Sequence, residues 1–118
     1  MLLSSAVMAE QAVLDVPSGQ EVMLFDLVLE PETKVARFRF LAPSIGTAGL
    51  SFTDMERDFP HLCSAYALPA LEANGWEAEK IVISLSDRET PFGETVPNVI
   101  QFFEAFAIEE ATCLWEPF

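Results

Sequence analysis

The chain has little positive charge, a single histidine and only two cysteines. Its 118 residues carry 6 Lys+Arg against 19 Asp+Glu, for a formal net charge of −13. A surface this acidic repels phosphate backbones and anionic membranes, which argues against nucleic-acid binding. No apolar run approaches the roughly 20 residues of a membrane-spanning helix, so we expect no membrane insertion. Such a charge attracts a cationic protein or a divalent cation, while the simpler interpretation is that it only keeps a hydrophobic small domain in solution.

Motifs of common catalytic and cofactor sites are also missing: there is no GxSxG, glycine-rich phosphate loop, HExxH or EF-hand loop. A hydrolytic triad would have to run through His61, and no serine motif marks its partner. A zinc site built from His61, Cys63 and Cys113 is one ligand short of the usual four. A Cys63–His61 dyad is disfavoured because residues two apart on a helix point in different directions. We therefore expect no catalytic residue, no metal and no cofactor.

The first nine residues are apolar or small, carry no charge and end in Val7-Met8-Ala9. Small residues at the −3 and −1 positions before a cut are typical of secretory signals. The sequence therefore predicts that residues 1–9 are the remnant of a signal and that residues 10–118 are a single domain in the periplasm. The alternative is a short N-terminal strand or tail on a cytoplasmic protein.

Apolar residues make up 51% of the chain, enough for a real core. Alternation of apolar and polar residues predicts strands at 12–16, 21–30, 34–41, Lys80–Ser86, 99–108 and Thr112–Glu116. In the second of these, Met23, Phe25, Leu27 and Leu29 are expected on one face. Residues 43–49 are expected to form a loop.

One main helix is expected between the third and fourth strands. Thr53 followed by Glu56 fits a capping box, and apolar residues then recur at helical spacing: Met55, Phe59, Leu62 and Tyr66. Pro60 predicts a kink or restart, and Pro69 a second interruption. The expected fold is α+β, an antiparallel sheet of about five or six strands covered by one main helix, in the order β-β-β-α-β-β-β.

The reading of the two cysteines depends on the compartment. In an exported small domain, Cys63 and Cys113 most simply form one disulfide, which joins the helix to the last strand. In the cytosol, both would be buried free thiols.

The stretch Ser84–Glu94, a strand end followed by a polar loop, is the region where a binding function is expected. Its candidate binding residues are Asp87, Arg88, Phe92 and Glu94, with Trp115 as a further interface aromatic. A structural role for the same residues is the competing interpretation, in which Asp87 pairs with Arg88 and Phe92 tucks under the loop. Arg37 and Arg39 are expected to pair across strands with carboxylates such as Asp26, and a ligand-binding role for them is the less favoured alternative.

Several short motifs together resemble one family. They are His61-Leu62-Cys63, Tyr66-Ala67-Leu68-Pro69, Ile81-Val82-Ile83-Ser84-Leu85-Ser86-Asp87-Arg88, Pro91-Phe92-Gly93, Gln101-Phe102-Phe103-Glu104-Ala105-Phe106 and Cys113-Leu114-Trp115-Glu116-Pro117-Phe118. The chain resembles a family of unknown function of small exported proteins from Rhodobacter-group alphaproteobacteria. Some members carry the label acetolactate synthase, which this chain does not support: it is far too short and lacks the Gly-Asp-Gly motif that holds thiamine diphosphate.

The sequence thus predicts an exported, non-catalytic binding or interaction domain that engages a basic envelope protein through its acidic surface. One alternative is a small hydrolase acting through carboxylates, which requires two carboxyl groups whose pKa values are pushed apart. The other is a cytosolic regulatory or structural domain, which requires reduced cysteines.

Overall fold

In the computed structural model, which describes residues 12–116, five strands form one sheet. Along the sheet these are β1 (Met23–Glu30), β2 (Val35–Leu41), β3 (Lys80–Ser86), β4 (Gln101–Glu109) and β5 (Thr112–Glu116). Helical segments connect β2 to β3: α1 (Ser44–Thr47), α2 (Phe52–Met55), α3 (Asp58–His61), a π-helical turn (Leu62–Ala67) and α4 (Leu68–Ala73). The last three follow one another without a break and form the main helix. The predicted signal remnant at residues 1–9 lies outside the described residues.

The prediction of an antiparallel sheet in the order β-β-β-α-β-β-β is wrong. The sheet is mixed, because β2 and β3 are parallel while the other neighbouring strands are antiparallel. The helical connection carries the chain back to the end of the sheet where β2 began, so β3 runs in the same direction. The predicted strand at 12–16 contributes one bridge, Leu14 to Val22, since the Pro17-Ser18-Gly19 turn ends the pairing. The element order is therefore β-β-α-β-β-β.

One face of the sheet is buried under the main helix. Alternate residues of β2 and β3 point toward it, including Phe38, Phe40, Ile81, Ile83 and Leu85, all buried. The predicted helical stripe meets them: Met55, Phe59 and Leu62 are buried in the same core. The ring of Tyr66 packs edge-on against Phe38 and Phe40. The periodicity predicted this core correctly, because burial of apolar area is what stabilises both elements.

A β-bulge in β1 changes which residues share a face. The pairing with β2 shifts register between Leu24 and Asp26, so Leu24 and Leu27 both face the helix side, opposite Phe40 and Phe38. Strict alternation had predicted that Phe25 and Leu27 share a face of the sheet, and the bulge makes this prediction wrong. The Phe25 ring instead meets the Arg39 guanidinium, whose central carbon is 4.9 Å from the ring centroid. A bulge inserts one extra residue and so reverses the alternation beyond it.

The prolines of the main helix lie where the missing N–H is least costly. Pro60 is in the first turn of α3, whose N–H groups have no partner within the helix in any case. The predicted restart at Pro60 therefore appears as the start of α3 at Asp58. Before Pro69 the helix widens into the π-helical turn, where the Leu68 N–H donates to the Cys63 carbonyl, and it continues as α4.

The residues predicted as a loop at 43–49 include the short α1, which buries Ile45.

The capping box begins two residues earlier than the sequence suggested. The Ser51 hydroxyl accepts a hydrogen bond from the Asp54 N–H, and the Asp54 carboxylate accepts one from the Ser51 N–H. The Ser51 N–H is the main reason that the pKa of Asp54 lies below its ordinary value of 3.8, with the Ser51 hydroxyl second. Thr53 and Glu56 take no part in the box, because α2 already begins at Phe52.

Substitutions at the cap give a first testable prediction. Ser51→Ala is expected to lower the free energy of unfolding by about 1 kcal/mol, whereas Thr53→Ala, the matched control, should leave it nearly unchanged. Because the folded pKa of Asp54 is lowered, its stabilising contribution is present above the unfolded pKa and is lost as the pH falls through the folded one. Urea unfolding of both variants at pH 7 and pH 3 measures this, and equal losses at Ser51 and Thr53 would contradict the observed cap.

The predicted disulfide is present. Cys63, in the π-helical turn, is bonded to Cys113 in β5 with an S–S distance of 2.08 Å, across a sequence separation of 50 residues. It ties the main helix to the last strand of the sheet.

A buried carboxylate fixes the segment before β1 to the start of the main helix. Asp58 is fully buried and accepts hydrogen bonds from the Ser18 N–H, the Ser18 hydroxyl and the Gln20 side-chain amide. Three donors compensate for the water that this carboxylate loses. The group has a structural role that the sequence did not indicate.

Candidate functional site

The face of the sheet away from the main helix, which we call the second face, carries the polar residues of the central strands. On β2, Arg37 and Arg39 alternate with the core phenylalanines; on β3, Ser84 is paired with Arg39. β4 places Phe103 opposite Ser84. Because directly paired residues point to the same side of a sheet, these four side chains lie on the second face.

The loop of residues 87–100 lies over part of this face and is anchored at both ends. At its base, the Asp87 N–H donates to the Ile100 carbonyl at 3.0 Å, and the Ile100 N–H donates to the Asp87 carboxylate at 3.1 Å. The Asp87 side chain also packs closely against the backbone of α1 at Gly46, where a Cβ would lie 2.7 Å from an Asp87 carboxylate oxygen. Further along, Thr90 is buried against Arg39. The loop is therefore held in place before any ligand arrives.

Arg39 is the main anchor between sheet and loop. Its side chain is 7% exposed and donates to the Asp26 carboxylate at 2.7 Å. Its other terminal nitrogen donates to the Thr90 carbonyl and hydroxyl, both at 3.0 Å. The guanidinium also lies near the rings of Phe25 and Phe92, in cation–π geometry. The predicted cross-strand pair of Asp26 and Arg39 is confirmed by the strand register.

Arg37 is more accessible and is only partly engaged. Its Nε donates to the Glu30 carboxylate at 2.9 Å, with both side chains 34% exposed. This hydrogen bond is the largest reason that the pKa of Glu30 lies below its ordinary value. Among the described residues, the two terminal nitrogens of Arg37 make no hydrogen bond. They remain available as donors to a ligand.

Between the second face and the loop lies a cleft of about 370 Å³. This is near the lower end of the sizes typical of small-molecule sites, about 300–1,000 Å³. Its lining is largely apolar and includes Val82, Phe92, Val96, Val99 and Phe103. The polar groups at the cleft include Arg37, Ser84, Glu94 and Gln101. The Ser84 side chain is the most informative, because the residue is 3% exposed and its hydroxyl has no hydrogen-bond partner within residues 12–116.

The structure separates the residues that the sequence singled out. Phe92 and Glu94 line the cleft. Asp87 and Arg88 lie at the base of the loop, where the Arg88 Nε is 3.7 Å from the Asp87 carboxylate. Phe92 does not tuck under the loop, because it is half exposed beside the two arginines. Trp115 lies on the helix side of the sheet against Phe106, and its indole N–H donates to Glu104; it is not part of the cleft.

Several lining residues were not singled out from the sequence, among them Gln101 and Phe103. Arg37 was expected to pair with a carboxylate, which it does, with a ligand-binding role as the less favoured alternative. The available signal was the alternation itself, which sends every second residue of β2, β3 and β4 to one face. Alternation alone does not locate a site, because the residues of β2, β3 and β4 form one surface only when these strands are neighbours in the sheet.

The remaining sequence-based predictions concern metal binding, the cysteines and membrane insertion. Within residues 12–116, no three His, Cys, Asp or Glu side chains come together as a metal-ligand set. His61 is exposed on the main helix, and Cys63 is bonded to Cys113. None of the helices in this part of the chain is both long and apolar enough to cross a membrane.

Comparison with known proteins gives one result. Neither a curated protein nor a solved structure matches the chain significantly. The profile of the family of unknown function DUF6497 matches residues 2–118. The match confirms that the resemblance seen in the motifs is to a family without a known function, while the proposed bacterial group stays a prediction. The chain therefore belongs to the family of unknown function DUF6497.

Proposed function

We propose that this chain is an exported, non-catalytic binding domain that holds its ligand in the cleft on the second face. The observation that carries the proposal is Ser84, a residue that lines the cleft and is almost fully buried, and whose hydroxyl has no hydrogen-bond partner among the described residues. A buried hydroxyl without a partner costs about 1–3 kcal/mol. A ligand that supplies the missing hydrogen bond would recover part of that cost.

The polar groups of the cleft suit binding better than catalysis. A serine nucleophile needs a general base within hydrogen-bond distance, and the Ser84 hydroxyl has no such partner among the described residues. Arg37 and Arg39 are each held by a carboxylate. The alternative hydrolase requires two carboxyl groups in one site, whereas Glu94 is the only carboxylate among the described residues that line the cleft.

A fragment screen followed by two-dimensional ¹H–¹⁵N NMR tests the proposed site. We expect the fragments that bind to shift the amide resonances of Ser84, Gln101 and Phe103. The matched internal control is the concavity on the other side of the sheet, lined by Trp76 and Ile108 among others. Hits that favour that concavity, or that scatter over the surface, would show that the cleft is not the binding site.

Export is supported by the disulfide, because such bonds form and persist mainly outside the reducing cytosol. Intact mass of the protein purified from its native host is the direct measurement. A periplasmic protein is expected to begin at Glu10 and to lack two hydrogens because of the cystine. A chain that retains residues 1–9 and two thiols would instead support the cytoplasmic alternative.

A second candidate function is the binding of a basic envelope protein through the acidic surface. Five of the six basic side chains are paired with carboxylates: Lys34, Arg37, Arg39, Lys80 and Arg88. The basic residues thus offer little to an anionic partner, and the excess carboxylates dominate the exterior field. Such binding is expected to weaken steeply with salt, so an affinity that does not change between 50 and 500 mM NaCl would count against it.

A further inference from the structure

Resting on the proposed binding function, we infer that the cleft accepts an uncharged ligand in which a carbonyl oxygen lies beside a branched or aromatic apolar group. This is the chemistry of an apolar residue inside a peptide chain, with amides on both sides. Three features of the cleft lead to this inference: its apolar wall, its hydrogen-bond donors and its balance of charge.

The wall explains the apolar part of the ligand. Val82, Val96 and Val99 line the cleft together with Phe103, which is 48% exposed. A phenylalanine this exposed in the middle strands of a sheet leaves apolar area in water, at about 25 cal/mol for each Å². A branched or aromatic group placed against Phe103 would cover that area.

The polar groups explain the carbonyl. Arg37 has only donors, and its two terminal nitrogens make no hydrogen bond among the described residues. The Ser84 hydroxyl and the Gln101 amide, also at the cleft, can each donate and accept. A ligand with an acceptor oxygen satisfies the donors, and an amide N–H beside that oxygen gives the two mixed groups a donor in return.

The charges explain why the ligand is neutral. The positive charges of Arg37 and Arg39 are matched by Glu30 and Asp26, which leaves Glu94 as the charged lining residue that makes no ion pair with any described residue. Together with the net charge of −13, this arrangement repels a free carboxylate. An ammonium group has only hydrogen-bond donors, so it cannot accept a hydrogen bond from the terminal nitrogens of Arg37.

Three probes with the same side chain separate these possibilities. N-acetyl-leucinamide is neutral, N-acetyl-leucine carries a carboxylate and leucinamide carries an ammonium group. Each is titrated into the full chain and followed through the amide resonances of Ser84, Gln101 and Phe103. We expect the neutral probe to bind at least tenfold more tightly than either charged one.

Two serine variants provide a matched test of the polar contact. Ser84 and Ser86 lie on the same strand and are both buried, and neither hydroxyl has a partner in the described part of the chain, but only Ser84 of the two lines the cleft. Ser84→Ala is expected to weaken the neutral probe about fivefold, the effect of losing one ordinary hydrogen bond. Ser86→Ala should leave the affinity unchanged. Equal effects of the two substitutions would overturn the assignment of the hydroxyl.

The outcomes also distinguish this inference from the proposed function. Tighter binding of the carboxylate or ammonium probe at the cleft would overturn the neutral-ligand inference and leave the cleft as the binding site. If no probe shifts a cleft resonance while screening fragments do, the carbonyl chemistry is wrong and the binding function stands. If neither probes nor fragments shift these resonances, both are overturned.

Discussion

Reduction of the Cys63–Cys113 disulfide is expected to lower the free energy of unfolding by about 4 kcal/mol in the chain-entropy model. The bond closes a loop across a sequence separation of 50 residues, and Cys63 is fully buried. Without the bond, the unfolded chain gains freedom, and the main helix loses its covalent link to β5. For a domain of this size, the melting temperature should fall by roughly 15 °C.

The measurement is a pair of urea titrations of the same chain, refolded from urea with and without a reducing agent. The buried position of Cys63 makes refolding necessary, because a reductant does not reach the folded bond easily. The Cys63→Ala/Cys113→Ala double variant is the control, and its stability should not respond to the reductant. If the oxidised and reduced chains unfold with the same free energy, the bond has no stabilising role.

Arg39→Met is expected to lower the free energy of unfolding by about 3 kcal/mol, near the lower end for breaking a buried ion pair because Asp26 is partly exposed. Met retains much of the apolar length of the arginine but leaves the Asp26 carboxylate without its partner. It also removes both hydrogen bonds to Thr90. The loop of residues 87–100 should therefore open more often, which hydrogen exchange of the loop amides measures directly.

Arg37→Met is the matched control, since it lies on the same strand and the same face. Its ion pair with Glu30 is about one third exposed, so the loss is expected to stay within about 1 kcal/mol. The amide exchange of the loop should not change. If the two substitutions cost the same, or if Arg39→Met does not speed exchange in the loop, then Arg39 is not its anchor.

Much of the fold could be predicted from local patterns. The alternation in residues 80–86 and the helical spacing of Met55, Phe59 and Leu62 correctly identified elements that bury one face. The capping box was placed two residues late, because Ser51-to-Asp54 and Thr53-to-Glu56 both fit the spacing. The sequence does not show which of the two residues begins the helix, since that depends on how Phe52 and Met55 pack against the core.

The candidate site was less predictable. Of the candidate binding residues of the loop, Phe92 and Glu94 line the cleft. Ser84 was singled out only as the strand end before the loop, and Gln101 is an ordinary polar residue of a predicted strand. They become notable only because β2, β3 and β4 are neighbours and the loop lies over them. Trp115 was grouped with the loop for its chemistry, but it lies on the other face.

By itself, the sequence determined the local periods, the acidic charge and the presence of a single pair of cysteines to be joined. Only the tertiary structure decided that β3 runs parallel to β2, that a bulge turns Phe25 toward Arg39, and that a hydroxyl is buried without a partner at a cleft. The physical reason is that periodicity depends on neighbours along the chain. Strand direction, bulges and clefts depend on pairings between residues far apart, whose energies no short stretch of sequence contains.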